Sequence, residues 1–505
     1  MVGGLGGSPL DTTNPFNADG QIRIRYEYDK NTRLVAIVDD QGARTSFAYD
    51  AQDRRIAEIY ADATRTSFAY NPDGTLRQVT DPNGTVIDHT FDTADRLVLV
   101  SVTRGAGVGG TNRETYEYDG LNRKTASSDD NGGGAANLVV TARRYDTLSR
   151  LLEEDQGGGI VKSTWSHDGK RLTCTYPGGR PLQYGHDAID REIRVSDARP
   201  IASSEFVGPV YRTLQRQHGN GTSLTFTDDL LAPTRASGYD PVRRIVELKH
   251  RRPVSDGGAP FVDRVYEYNR ANRRTLERRL DDGGLTDHYT RDSFQRLIEA
   301  TFDRDGTGTR RSIDRLVYAL DGVGNRREVS QVATDGGTST SSIEINALNE
   351  YVKVAGTART YTAAGELTDD GRFKFEYDYR HRLVAVRLRE GGGLAARYRY
   401  DCENRRVAKL VFEPTTNALV STTRYFYDGW REIEEQDGAG QTLATYVYGP
   451  AHLDDVLSFE RTAHHPLGAG TFYLHQDARG DVVAVTDASA TLVERRYYDD
   501  FGQVY

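Results

Sequence analysis

Histidine clusters, glycine-rich stretches and aspartates are the residues here whose types could support catalysis or ion binding. Four of the eleven histidines, His452, His464, His465 and His475, fall within 24 residues, a density that raises a transition-metal site. There is no HExxH and no regular ligand spacing, so no metal is assigned to them. Residues 157–164, GGGIVKST, carry the glycines and lysine of a phosphate-binding loop. Val161 stands before Lys162 where such a loop needs glycine, and no strand-to-helix context surrounds it; a glycine-rich hairpin turn is preferred. Residues 303–308, DRDGTG, open like a calcium loop but lack its third carboxylate and distant bidentate glutamate, which favours a turn between strands. Residues 71–74 (NPDG) and 81–84 (DPNG) are turn tetrads by composition. No GxSxG, CxxC or convincing carboxylate pair occurs. The chain is therefore read as non-enzymatic, with no catalytic, cofactor-binding or metal residue.

The aspartates have another explanation, a repeat. Tyr28-Asp29 is followed four residues after the aspartate by Arg33 and then Leu34. The frame returns at Tyr49-Asp50 with Arg54, at Tyr70-Asn71 with Gly74 and at Phe91-Asp92 with Arg96, each time 21 residues on. It continues at Tyr118-Asp119 with Arg123 and Tyr145-Asp146 with Arg150, then more weakly at His167 and His186. Further copies begin at Tyr239, Tyr268, Arg291, Leu320, Ile345 and Tyr361. The series closes with Tyr377-Asp378 and Arg382, Tyr400-Asp401 and Arg405, and Tyr427-Asp428. The 53-residue gap from His186 to Tyr239 is assigned a degenerate copy at Phe226-Thr227-Asp228.

Each unit reads as a β-hairpin. Tyr26-Glu27-Tyr28 alternates in the period of a strand. Asp29 ends the strand by accepting backbone N–H bonds ahead of it as an Asx-turn. The residue before the arginine is often Asn, Gly, Asp or His, types suited to a four-residue hairpin loop. Arg33 opens the return strand facing Asp29, with its guanidinium free to lie on a tyrosine ring. Such a pair is expected to be exposed and to set register more than stability. Two strands of roughly seven residues, about 24 Å long, plus two turns fill the period. One hairpin is unstable alone, so seventeen or more in series predict one long antiparallel sheet. Its inherent twist should coil it into a spiral, tube or shell. The fold class is all-β, a continuous sheet of hairpins forming a spiral shell or barrel, with few helices.

Composition agrees. Tyr (30) outnumbers Phe (16), Gly reaches 51, and only 37% of residues are hydrophobic, which suits a thin sheet wall. Mean hydropathy is −0.64. The 65 basic and 74 acidic residues are interspersed, giving net charge −9 and no basic nucleic-acid stripe. Cys174 and Cys402, 228 positions apart, form neither a disulfide framework nor a metal motif. No transmembrane stretch or secretory signal is seen, so export by a dedicated machine, or membership of a longer protein, is expected.

YDGLNR (118–123), YDYRHRL (377–383) and YDCENRR (400–406) resemble the YD repeats of the RHS (rearrangement hotspot) family, a resemblance covering about residues 22–505. Residues 472–487, FYLHQDARGDVVAVTD, followed by RRYYDDFGQ (495–503), are similar to the opening of the RHS-associated core, with Tyr473, His475, Asp477 and Gly480 at the family's marked positions. The resemblance implies a flexible glycine-rich segment at 1–21, a hairpin array at 22–424, and last repeats with the start of the core at 425–505. It implies a cocoon wall that encloses and protects a C-terminal toxin or effector, as in bacterial polymorphic toxins, secreted or displayed at the cell surface. The self-cleavage site and toxin of complete members would follow the core, and the chain is read as truncated within it. The alternative is an adhesion module whose tyrosine-rich faces recognise glycan or a cell-surface protein. No nucleic-acid partner is expected.

Overall fold

The computed structural model describes residue 16 and residues 21–227, 238–303, 313–499 and 501–504. Asp228 of the degenerate copy, residues 304–308 of the calcium-like stretch, and all of segment 1–21 except Phe16 and Gln21 lie outside the described residues. Among the described residues there are 42 strands, one four-residue helix (Gly134–Asn137) and two 3-10 turns (Val254–Asp256 and Leu280–Asp282).

The first hairpin shows how the sequence builds the sheet. Strand Arg25–Tyr28 pairs antiparallel with Leu34–Val38, Arg25 opposite Val38 and Tyr28 opposite Leu34, with a bulge at the turn end. Asp29 N–H donates to Arg33 O (3.0 Å) and Thr32 N–H to Asp29 O (3.1 Å), closing a three-residue loop, one shorter than its sequence suggests. The third loop residue, Thr32, sits at φ 64°, in the left-handed region. Asp53, Asn122, Ser149, Asn272, His381 and Asn404 occupy the same place at φ 61–65°. Turns of the same kind close the opposite edge, for instance Asp39 N–H to Ala43 O at 3.0 Å. Two five-residue turns per period leave room for strands of only five or six residues, as in Arg44–Tyr49 and Arg55–Ile59, not seven.

Strands pair with their chain neighbours throughout, an uninterrupted meander of 29 strands from Arg25–Tyr28 to Thr357–Ala358 and a second of 13 from Thr360–Tyr361 to Leu492–Arg495. The second ladder runs continuously through residue 425. The sheet coils upon itself. From Asp321, which meets Gln41, the chain lies against its own earlier part, and beyond Asn349 the separation of partners broadly falls. Asn349 meets Asp39 (310 residues apart), Tyr400 meets Asn131 (269), His475 meets His250 (225) and Arg495 meets Asp281 (214). Residues 25–320 are called the lower coil and 321–504 the upper coil.

Burial follows this seam. Of four hydrophobic clusters, three span it: Ile433, Val447 and Leu457 on Val161, Tyr176 and Leu182; Val483 and Ala484 on Leu248, Phe261 and Tyr266; Tyr379 and Cys402 on Val100 and Tyr116. The accessible surface is 25817 Å², against about 18,000 Å² for a compact globule of this mass. That excess is the signature of a wall. Both cysteines are buried and unpaired, and burial pushes the Cys174 thiol up to about 12.

The left-handed turn position is open to a direct test at Asn272, whose side chain is exposed. Asn272→Val should lower stability by about 1–3 kcal/mol in urea denaturation, because a β-branched residue is strained at positive φ, whereas Asn272→Gly should leave it nearly unchanged.

Candidate functional site

The repeat residues converge on the turn rim, where each aspartate carboxylate has two tasks. In the first unit Asp29 Oδ1 accepts from Asn31 N (2.8 Å) and Arg33 N (3.0 Å), and Oδ2 accepts from Arg33 Nε (2.7 Å). Asp50 with Arg54, Asp119 with Arg123, Asp146 with Arg150, Asp378 with Arg382 and Asp401 with Arg405 repeat the Nε contact at 2.6–2.8 Å. At Asp92 the Arg96 side chain, followed by the Arg96 backbone N–H, holds the carboxyl below its usual range.

Each arginine also reaches forward. Arg33 lies over the ring of Tyr49, 5.3 Å from its centroid, and donates from Nη1 to Asp50 O (3.3 Å). Arg123 does the same with Tyr145 (5.0 Å) and Asp146 O (2.8 Å), and Arg382 with Tyr400 (4.9 Å) and Asp401 O (2.9 Å). Each tyrosine answers backward: Tyr49 OH donates to Leu34 O (2.8 Å), Tyr118 to Leu97 O (3.0 Å), Tyr145 to Lys124 O (3.1 Å) and Tyr400 to Leu383 O (2.8 Å). Tyrosine is thus a hydrogen-bonding clamp between hairpins as well as a packing group. Tyr28 heads the described array and is exposed. The carbonyl of Tyr377 instead accepts Gly109 N–H at 2.7 Å, across the seam.

The two coils use the rim differently. In the lower coil the turn ion pair is half-exposed, with Arg33 and Asp29 side chains 26% and 23% accessible. In the upper coil Arg405 and Asp401 are 3% and 1% accessible, which corrects the expectation that these pairs are exposed. The upper turns are buried because they dock on the lower coil's opposite edge. Arg382 adds Asp129 (2.9 Å) and Thr111 (3.2 Å) to its own turn contacts, and Arg405 adds both oxygens of Glu154 (3.2 Å). Arg380 pairs with buried Glu114. Backbone edges are sealed as well: Asn131 bonds both N–H and C=O of Tyr400 (2.8 and 2.9 Å), and Gln156 does likewise for Tyr427 (2.9 and 2.6 Å). At Gly159 an added Cβ would sit 2.0 Å from the Phe426 ring, so only glycine admits that ring across the seam.

The four core-signature residues also lie at the seam. Asp477 and Gly480 build one more rim turn: Asp477 Oδ1 accepts from Arg479 N (2.7 Å) and Asp481 N (3.0 Å), and Gly480 takes the left-handed position at φ 88°. Asp481 stands where other units have arginine. His475 and Tyr473 are buried against His218, with ring centroids 5.3 and 5.8 Å away. His452, His464 and His465 do not join them in any metal cluster: among the described residues no group of three or more His, Cys, Asp or Glu has metal-holding geometry. Glu114, Asp129, Glu154, Asn131 and Gln156 were not singled out by sequence. Their one signal is a polar residue on or beside a strand otherwise suited to burial.

A family model described as RHS Repeat matches residues 17–65 and 70–108. The chain carries RHS (YD) repeats over these residues. It is 32% identical over 189 residues to the tRNA3(Ser)-specific nuclease WapA of Bacillus spizizenii, a match covering 37% of this chain and 7% of that protein. It is 26% identical over 353 residues to the toxin protein Tse5 of Pseudomonas aeruginosa, covering 63% of this chain and 25% of that one. The TcdB2-TccC3-TEV crystal structure superposes on 96% of this RHS chain with TM-score 0.75 at 16% identity, using 26% of its own length. A Photorhabdus luminescens Tc holotoxin pore superposes on 95% with TM-score 0.74, also at 16% identity and over 26% of its length. The fold is that of the Tc-toxin β-shell, and the chain spans about a quarter or less of the length of these relatives.

Arg405→Ala leaves buried Asp401 without its cation and Glu154 with Arg143 as its remaining cation, and should cost about 3–5 kcal/mol. Arg54→Ala, on the half-exposed rim, should cost far less. Tyr400→Phe removes one hydrogen bond and should cost about 1 kcal/mol. Chemical denaturation of the three variants against the parent checks the ranking.

Proposed function

We propose that this RHS chain is a non-enzymatic wall that encloses a polypeptide effector belonging to the same protein or its complex, and shields it from proteases and solvent. The observation that carries the reading is the seam. A sheet that only needed to be stable could stop after one revolution with its rims in water. Here the upper turns bury their charges on the lower coil with matched backbone caps, which supports a wall closed against passage of chain or water. The toxin named Tse5 and the nuclease named WapA extend far beyond the matched region, leaving room in such proteins for an effector. Export from the producing cell as part of a toxin is the setting in which the enclosure would be useful. The Asp, Arg and Tyr residues are fully engaged with one another, and we assign them to architecture, not to chemistry.

The test appends a destabilised, protease-sensitive reporter domain after residue 505 and follows its digestion by proteinase K. Enclosure predicts at least about tenfold slower loss than for the free reporter, with protection abolished when Arg382 and Arg405 are both changed to alanine. Equal rates with and without the wall would overturn the reading.

A further inference from the structure

Three histidines meet in the seam although their positions in the chain give no hint of it. His218 and His250 end or approach the ends of lower-coil strands Thr213–His218 and Glu247–Arg251, and His475 comes from upper-coil strand Gly470–Gln476. His250 Nε2 lies 2.9 Å from Gln476 O, His250 Nδ1 lies 3.1 Å from His475 Nδ1, and His475 Nε2 lies 2.9 Å from Thr486 Oγ1. A carbonyl oxygen only accepts, so His250 Nε2 carries the hydrogen and, in the neutral ring, Nδ1 is bare. His475 Nδ1–H must then donate to it, which leaves His475 Nε2 bare to accept the Thr486 hydroxyl hydrogen. Asn220 Nδ2, from a lower-coil turn, donates to Thr486 Oγ1 (2.9 Å) and Asp487 O (2.8 Å). One chain of hydrogen bonds therefore crosses the seam four times, and each ring nitrogen of His250 and His475 in it has one permitted protonation state. Adding a proton to His250 Nδ1 would set two N–H groups against each other; adding one to His475 Nε2 would displace the Thr486 donor.

We propose that this relay is an acid-sensitive latch, holding the last part of the seam shut while its histidines are neutral and releasing it when they are protonated. The groups facing the rings do not relieve an added charge. Arg216 is already paired with Asp455 (2.6 and 2.7 Å), Arg264 pairs with Asp281, and His218, Tyr473 and Phe261 complete the wall around His475. His218 Nδ1 is buried with no hydrogen-bond partner. A cavity of 390 Å³ lined by Arg216, His218, His250, His452, Asp455 and Arg479 brings two of the rings within reach of solvent protons.

Burial, foremost, pushes His218 down to about 3, His250 down to about 4 and His475 well below the ordinary histidine range. An opened seam would titrate these rings near pH 6.5, so below that value the open form binds more protons and the closed form loses ground as pH falls towards about 4. Buried carboxyls do not mimic this. Burial raises Glu192 and Glu432 to about 7 and Asp129 to about 6, so in the same window their protonation favours the closed form. The latch goes beyond the container reading and stands whether or not the wall holds cargo.

Hydrogen–deuterium exchange of the whole chain from pH 7.5 to 4.5, corrected for intrinsic rates, tests it. Peptides covering 213–225, 247–251 and 470–487 should lose protection first, by about tenfold or more at pH 5, while the seam at 378–405 stays closed. His250→Gln keeps a donor for Gln476 O and an acceptor for His475 but cannot be protonated, and should shift the opening midpoint down by at least half a pH unit. An unchanged midpoint in a folded His250→Gln chain would overturn the latch. So would a wild-type chain in which these three segments open no earlier than the rest, and that measurement decides the matter if the variant fails to fold.

Discussion

The repeat arginine holds three things at once. Its Nε closes its own turn on the aspartate, its plane lies on the next hairpin's tyrosine, and its Nη1 satisfies the next turn's carbonyl. A planar, permanently charged fork with five donors can do this; a lysine ammonium cannot. Remove the fork and the hairpin loses its turn closure and its attachment to the neighbour together. Where the arginine is present it ties sheet closure within a unit to attachment between units, and turns such as 71–75 and 321–325 close on Thr75 and Asn325 in its place.

The same fork explains how a ribbon becomes a wall. On the lower rim the remaining donors face water. On the upper coil they meet Asp129 and Glu154, so a turn motif evolved for hairpin closure doubles as the rivet between coils. Burying those charges is tolerable because each is both paired and hydrogen-bonded. Apolar packing follows the same line, with three of the four core clusters spanning the seam. A shell of one sheet's thickness has no interior of its own; the place where it folds over itself serves instead.

The hairpin was legible because everything that makes it lies within five residues: Tyr28, Asp29 and Arg33 announce it. The left-handed position was half legible, since Asn122, Asp53 and His381 suggest it while Thr32 and Ser149 adopt it without advertising it. The forward reach of Arg33 to Tyr49 was hidden by the intervening strand and turn lengths. The seam was hidden altogether. Its separations, which reach 310 residues, are set by sheet curvature, which no local pattern encodes. So His475 stood out beside His464 and His465, its neighbours in sequence, whereas its partners in space are His218 and His250.

Two sets of turns share one motif and one set of local hydrogen bonds, and differ only in whether a second coil lies on them. Hydrogen–deuterium exchange at neutral pH, comparing the backbone amides of Arg123 and Arg150 with those of Arg382 and Arg405, isolates that difference. A closed seam predicts exchange at least about a hundredfold slower in the upper turns, since those amides open only when the coils part. Equal exchange in both sets would mean that the coils do not dock, and the wall account would fail.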